Sequence, residues 1–195
     1  MKSKPVQTIA RSIEDFLSQK KDNALVQKTL DGKKEAFAEL MTMHQRRVEI
    51  MGYSFFHNKA DVDDFVQDVF IKVFNNLASF RHESKFSTWL TRIAYTTAIN
   101  TKSRRQENEN IADENQLTSE YLSPEEQEIR KITAQAVKQA MENLPEHYYS
   151  CLNLYFFQDL SYDEIAVITD LPINTIKSHI FRAKKILRQK LNEYK

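Results

Sequence analysis

Apolar residues along this chain recur at intervals of three and four and almost nowhere alternate one by one. That spacing belongs to amphipathic helices rather than strands. Val6, Ile9, Ile13, Phe16 and Leu17 line one face of a helix over 6–20, and Asp22-Asn23 and Asp31-Gly32 read as breaks after it. A helix over 33–56 turns Ala36, Phe37, Leu40, Met43 and Val48 inward. Asn58-Lys59-Ala60-Asp61 is a turn, and the next helix, 61–77, carries Val62, Phe65, Val66, Val69, Phe70 and Val73 on one stripe. A loop over 79–85 leads to a helix over 86–105 with Leu90, Ile93, Ala94 and Ala98 inward. Residues 106–122 are polar, acidic and without apolar period, the pattern of a flexible linker.

Helical signals return at Ser123-Pro124-Glu125-Glu126, with a serine N-cap, proline at the first helical position and a carboxylate placed to reach back. Pro145 separates that helix, 124–143, from one over 146–157. Ser161-Tyr162-Asp163-Glu164 is a second capping box, and Leu160 and Ile165 flank it as a hydrophobic staple. A short helix over 162–169, a turn at Asp170-Leu171-Pro172 and a longer helix from 173 follow. Ile173, Ile176, Ile180, Ala183, Leu187 and Leu191 share one face of that last helix. The expected fold is all-α: two small helical domains joined by a flexible acidic linker, the second containing a helix-turn-helix. The expected divisions are a helical N-terminal extension, 1–24, a first domain, 25–105, the linker, 106–122, and a second domain, 123–195.

Charge changes this picture by its distribution, since the 195 residues sum to only +1. Between Gln106 and Glu128 there are eight acidic residues' worth of carboxylate and neither lysine nor arginine: Glu107, Glu109, Asp113, Glu114, Glu120, Glu125, Glu126 and Glu128. From Leu171 onward Lys177, Arg182, Lys184, Lys185, Arg188, Lys190 and Lys195 face Glu193 alone. An acidic connector before a basic terminus fits nucleic-acid binding by the latter. On the last helix Asn174, Lys177, Ser178, Phe181 and Arg182 fall opposite the apolar face. Amide and basic groups can hydrogen-bond base edges in a major groove, a hydroxyl can meet phosphate or base, and a ring can meet thymine methyls. Phe181 on a polar face exposes apolar surface that a partner would cover.

Other chemistry is sparse. No apolar run is long enough to cross a bilayer, and no secretory h-region follows the first residues. The lone cysteine, Cys151, cannot form an internal disulfide and reads as a small buried hydrophobe in a cytoplasmic protein. There is no Gly-rich phosphate loop, no His-Glu-x-x-His and no Cys-x-x-Cys, and His44, His57, His82, His147 and His179 lack metal-ligand spacing. No cofactor, metal or catalytic residue is expected.

Asp61-Val-Asp-Asp-Phe-Val-Gln-Asp-Val-Phe-Ile-Lys-Val-Phe74, Phe80-Arg81, Phe86-Ser-Thr-Trp-Leu90 and Ile93-Ala94 resemble the second conserved domain of extracytoplasmic-function sigma factors. Leu160-Ser-Tyr-Asp-Glu-Ile-Ala166 and Pro172-Ile-Asn-Thr-Ile-Lys-Ser-His-Ile-Phe-Arg-Ala183 resemble that family's fourth domain, and the likeness runs from about Leu25 onward. The resemblance implies a protein that binds core RNA polymerase and directs promoter-specific initiation. Helix 61–77 would dock on the clamp helices of the largest subunit. Asp63, Asp64, Gln67, Asp68 and Ile71, away from the apolar stripe, give a carboxylate-rich surface around an exposed isoleucine. The loop and helix over 79–105 would recognise and melt the minus-10 element: Phe80 and Tyr95 stacking, Arg81, Lys85, Arg92, Lys102, Arg104 and Arg105 on phosphates, Trp89 in the core. Thr96 stands where many members carry asparagine, and Asp170 where many carry glycine. Asn174, Thr175, Lys177, Ser178, Phe181 and Arg182 would read the minus-35 element. The linker would thread toward the polymerase active-site channel or serve as a solvated tether, and an anti-sigma factor is an implied partner. Thr175-Ile-Lys-Ser-His179 also resembles helix-turn-helix activators that act without replacing sigma, although residues 1–105 lack the strand alternation of their usual receiver domains.

Overall fold

The structure, a computed structural model, describes residues 5–56, 58–106, 137, 139–141 and 143–192, with the backbone alone for 5–13, 105 and 106. Among the described residues every regular element is helical. The chain divides into two compact units, Met1–Ala112 and Asp113–Lys195. The first holds α1 (Pro5–Leu30), α2 (Lys34–Phe55), α3 (Lys59–Asn76), a 3-10 turn (Leu77–Ser79) and α4 (Phe86–Gln106). The second holds α5 (Glu146–Phe156), α6 (Tyr162–Thr169) and α7 (Ile173–Asn192). Residues 107–122 of the expected linker and most of the expected helix 124–143, with its cap at Ser123, lie outside the described residues.

In the first unit α1, α2, α3 and α4 pack around Val26, Leu40, Val48, Met51, Val62, Val69, Val73, Phe86 and Leu90, all buried. Each such side chain contributes about 1.5–3 kcal/mol by leaving water. Gly52 lets α2 approach α3: a Cβ there would sit 2.9 Å from Val62 Cγ1 and 3.0 Å from Phe65 Cδ1. Local chemistry sets the ends. Gly32, at φ 89°, turns the chain out of α1 while its N–H donates to Thr29 O at 2.9 Å. Asn58 caps α3, its Oδ1 accepting from the Asp61 N–H at 2.8 Å and its Nδ2 donating to Asp61 Oδ2 at 2.7 Å.

Two expectations for this unit are corrected. Asp22-Asn23 does not break the first helix, which runs unbroken from Pro5 to Leu30. Asp22 is instead buried inside α1, its Oδ1 accepting from His44 Nε2 of α2 at 2.9 Å, with the His44 ring against Phe86. Long-range partners satisfy the polar groups that local reasoning assigned to a turn. That same pairing turns His44 inward and leaves Met43 on the outside, and Phe16 and Leu17 stay exposed on α1.

The second unit buries Leu144, Leu152, Leu154, Ile165, Ile168, Ile176, Ile180 and Ala183. The capping box at α6 forms as expected: the Glu164 N–H donates to Ser161 Oγ at 3.2 Å and the Ser161 N–H donates to Glu164 Oε2 at 2.9 Å. Leu160 and Ile165 are both buried beside it. Asp170 ends α6 in the left-handed region at φ 56°, and α7 begins three residues later. Cys151 is buried as expected, and burial pushes its thiol up to about 11.

Candidate functional site

Three surfaces bring the sequence-selected residues together. The first is the outer face of α3. Val62, Phe65, Val69, Phe70 and Val73 bury the inner stripe, so Asp63, Asp64 and Gln67 point to solvent and Asp68 is half-buried. Ile71 stands 52 % exposed among them. Lys72 Nζ donates to Asp68 Oδ2 at 2.7 Å one turn on and also reaches Thr97 Oγ1 at 3.3 Å, which links this face to α4. Phe74 is 49 % exposed with its ring 4.9 Å from Phe37. Sequence reasoning passed over Phe74, although it continues the row Asp64, Gln67, Ile71 at helical spacing. The surface is an apolar strip edged by carboxylates, suited to a basic helical partner.

The second surface is the segment from Phe80 through α4. Arg81, Arg92, Thr96 and Arg104 are exposed, and Lys85, Tyr95 and Lys102 are half-buried; the Arg105 side chain lies outside the described residues. Phe80 is corrected from a base-stacking group to a core group. It is 6 % exposed and packs against Phe86 at 5.7 Å and Trp89 at 5.3 Å. Trp89, expected in the core, is half-buried at the edge of that same cluster. Tyr95 packs edge-on against Phe55 at 6.3 Å. The Thr96 hydroxyl donates to Arg92 O at 2.9 Å. α1 reaches this segment twice. Lys85 Nζ donates to Asp15 Oδ2 at 3.1 Å, and His82 Nδ1 donates to Asn23 Oδ1 at 3.1 Å. Sequence reasoning found neither contact, because each joins residues about 60 or 70 positions apart.

The third surface is the outer wedge of α7. Ile176, Ile180 and Ala183 fix its inner face, which leaves Asn174, Lys177, Phe181 and Arg182 exposed and Thr175 and Ser178 half-buried. Phe181 is the most exposed large apolar side chain among the described residues, at 70 %. Arg182 Nη1 donates to the Tyr148 hydroxyl at 3.2 Å, and that bond raises the guanidinium's already high pKa. Tyr148 thus holds a wedge residue from α5. His179 lies behind the wedge, its ring 5.2 Å from Tyr148 and 4.9 Å from His147. Burial, with His147 and Arg182 close by, pushes the His179 imidazole below its ordinary value. Lys177 rests on the ring of Tyr162 at 5.6 Å, and Tyr162 stacks on Tyr155 at 5.1 Å. A capped short helix, a left-handed turn and a helix with this outer face form a helix-turn-helix. Among the described residues no group of acidic, histidine and cysteine side chains is arranged to hold a metal ion.

Comparisons with known proteins fall on these same surfaces. Residues 40–108 match the family described as Sigma-70 region 2, and residues 134–187 that described as Sigma-70, region 4. The ECF RNA polymerase sigma-E factor of Haemophilus influenzae is 36 % identical over 180 residues, covering 87 % of this chain and 95 % of that one. Among solved structures, CnrH in complex with the cytosolic domain of CnrY matches with a TM-score of 0.69 at 21 % identity, covering 89 % of this chain and 98 % of that one. The sigma factor RpoE in complex with the anti-sigma factor NepR, from Bartonella quintana, matches with a TM-score of 0.65 at 21 % identity, covering 80 % and 96 %.

Proposed function

This chain belongs to the extracytoplasmic-function sigma factors of bacterial RNA polymerase, and on that premise we propose how its residues divide the work of directing transcription initiation. Asp63, Asp64, Gln67, Asp68 and Ile71, extended by Phe74, dock on the clamp helices of the polymerase's largest subunit. Carboxylates steer the basic partner, and the apolar pair supplies the desolvated centre of the contact. Arg81, Lys85, Arg92, Tyr95, Thr96, Arg104 and Arg105 hold the minus-10 element as it opens. Asn174, Thr175, Lys177, Ser178, Phe181 and Arg182 enter the major groove at the minus-35 element, with the methylene and ring surface of Phe181 covered by DNA.

The remaining assignments follow from this division. The chain acts by binding and positioning, with the polymerase supplying the catalysis, so it is not itself an enzyme. It works in the cytoplasm, where that polymerase is. Residues 106–122 thread toward the active-site channel as an acidic connector. An anti-sigma factor holds the chain in reserve; the two solved structures with this fold are both complexes, one of them named as a sigma factor with an anti-sigma factor. The first unit, with the whole of α1, serves as the polymerase-proximal domain, and the second unit as the minus-35 domain.

The observation that carries the reading is that one relationship spans both the acid-edged face of α3 and the basic wedge of α7. Run-off transcription of genome fragments by sigma-free core polymerase, with and without this chain, tests it. New starts sharing two upstream elements are expected. The Asp64→Lys, Asp68→Lys double variant should keep its helical spectrum and lose polymerase binding. Unchanged affinity in that variant sinks the α3 assignment.

A further inference from the structure

We propose that His147 and His179 form, beside Arg182, a phosphate-holding edge of the minus-35 wedge, and that this edge makes promoter binding tighten as pH falls. The inference rests on the reading that the outer wedge of α7 meets duplex DNA. The two histidines are far apart along the chain and meet only where α5 packs on α7, their rings 4.9 Å apart at 58°. Tyr148 joins them to the wedge: its ring lies 5.2 Å from His179, and its hydroxyl accepts from Arg182 Nη1 at 3.2 Å. His147 is exposed and His179 is half-buried.

The charges around His179 suit an anion. α5 presents His147, Tyr148 and Cys151 to it, and Arg182 lies close by on α7 itself. Glu146, in the first turn of α5, is exposed. The titratable groups of α6 are engaged elsewhere: Tyr162 lies under Lys177, Glu164 closes the capping box with Ser161, and Asp163 is exposed. Burial, with His147 and Arg182 nearby, holds the His179 imidazole below its ordinary value in the free chain. A backbone phosphate set against this edge reverses that balance, because an opposite charge close by favours the protonated ring. Cys151, whose thiol is pushed up to about 11 and so keeps its proton, faces His179 Nδ1 at 3.7 Å and leaves Nε2 as the nitrogen for the phosphate.

With phosphate in place, both rings bind a proton more tightly than they do in the free chain. Complex formation therefore takes up protons. Affinity grows as pH falls through the bound rings' pKa values and levels off below those of the free rings. A tenfold difference in proton affinity between one free and one bound ring gives about tenfold in DNA affinity. An arginine, charged throughout, makes a phosphate contact without this dependence.

The test uses holoenzyme assembled from the full chain and core polymerase, and a promoter fragment with a duplex minus-35 element. Its dissociation constant is measured from about pH 8 to about pH 6, the range in which histidine titrates, at one salt concentration. Wild type should bind about tenfold more tightly at the acid end. His147→Gln with His179→Gln takes up no proton there and should lose most of that gain. His179→Arg should raise affinity at the alkaline end and flatten the profile. His147→Gln alone changes only an exposed side chain, so it serves as the variant most certain to fold, and it should lose part of the gain. Circular dichroism across the same interval checks that each variant is folded. A wild-type affinity that is flat or falls toward acid pH overturns the proposal, as does an identical profile in wild type and the folded histidine variants. If Arg182→Ala loses affinity while the histidine variants keep the wild-type profile, only this proposal fails. If Arg182→Ala and the histidine variants all bind as wild type does, the assignment of α7 fails with it.

Discussion

Replacing Asp22 by alanine tests how α1 is held to the first unit. The carboxylate and the His44 ring are 4 % and 9 % exposed and 2.9 Å apart. Losing a hydrogen bond that involves a charged group costs about 1.5–3 kcal/mol. Alanine returns up to about 0.7 kcal/mol, because aspartate is a poor residue in a helix interior. The net loss is roughly 1–2.5 kcal/mol, which lowers the melting temperature of a unit this size by about 5–15 °C. His44→Ala leaves the carboxylate buried without its partner and should cost more, about 3–5 kcal/mol. The double variant should cost less than the sum of the singles, with a coupling of about 1–3 kcal/mol. Trp89 is the chain's one tryptophan and sits on Phe86, the ring that also meets His44, so its fluorescence reports unfolding of this unit alone. Additive costs, or a more stable Asp22→Ala chain, would refute the claim that the pair holds the helix.

Three further outcomes follow from particular contacts. Arg182→Ala should weaken binding to minus-35 duplex by about 1–3 kcal/mol if it reads a guanine, and Tyr148→Phe should reproduce part of that loss; equal binding to intact and scrambled minus-35 DNA counts against α7 altogether. Ser161→Ala should destabilise the second unit by about 1 kcal/mol through loss of the cap, measured by urea denaturation followed by far-ultraviolet circular dichroism. Cys151 should react with thiol reagents only after unfolding. Its folded pKa of about 11 lies above the ordinary 9.0, so its stabilising contribution is full below pH 9 and is lost as pH rises toward 11. The stability difference between wild type and Cys151→Ala should therefore shrink across that interval and stay constant below it.

The sequence was most legible where its signals are local. Period-three-and-four spacing gives α2, α3, α4 and α7 within a few residues, and Ser161 with Glu164 places the start of α6, because caps and amphipathic faces are settled by neighbours. The outer faces of α3 and α7 were legible for the same reason: a helix whose inner stripe is known has its outer residues known too. What escaped depends on partners far along the chain. Asp22-Asn23 has the composition of a turn, and only His44 and His82 make it helix. Phe80 carries no local sign of being buried, since the cluster with Phe86 and Trp89 exists only once the loop folds back on α4. Tyr148 is likewise invisible as a support for Arg182 until α5 and α7 pack.

The ion pair between Lys85 and Asp15 bears on the energetics of promoter opening. A lysine that meets a phosphate releases cations condensed on the nucleic acid, and that release is why nucleic-acid affinity falls as salt rises. Lys85 already carries an anion tethered to its own chain. On the proposed reading that Lys85 meets opened DNA, a phosphate must first displace Asp15, and the modest worth of that exposed pair is subtracted from the gain of the new contact. Contact through Lys85 is then an exchange between two anions, and α1 competes with the strand for one of the cations that would hold it.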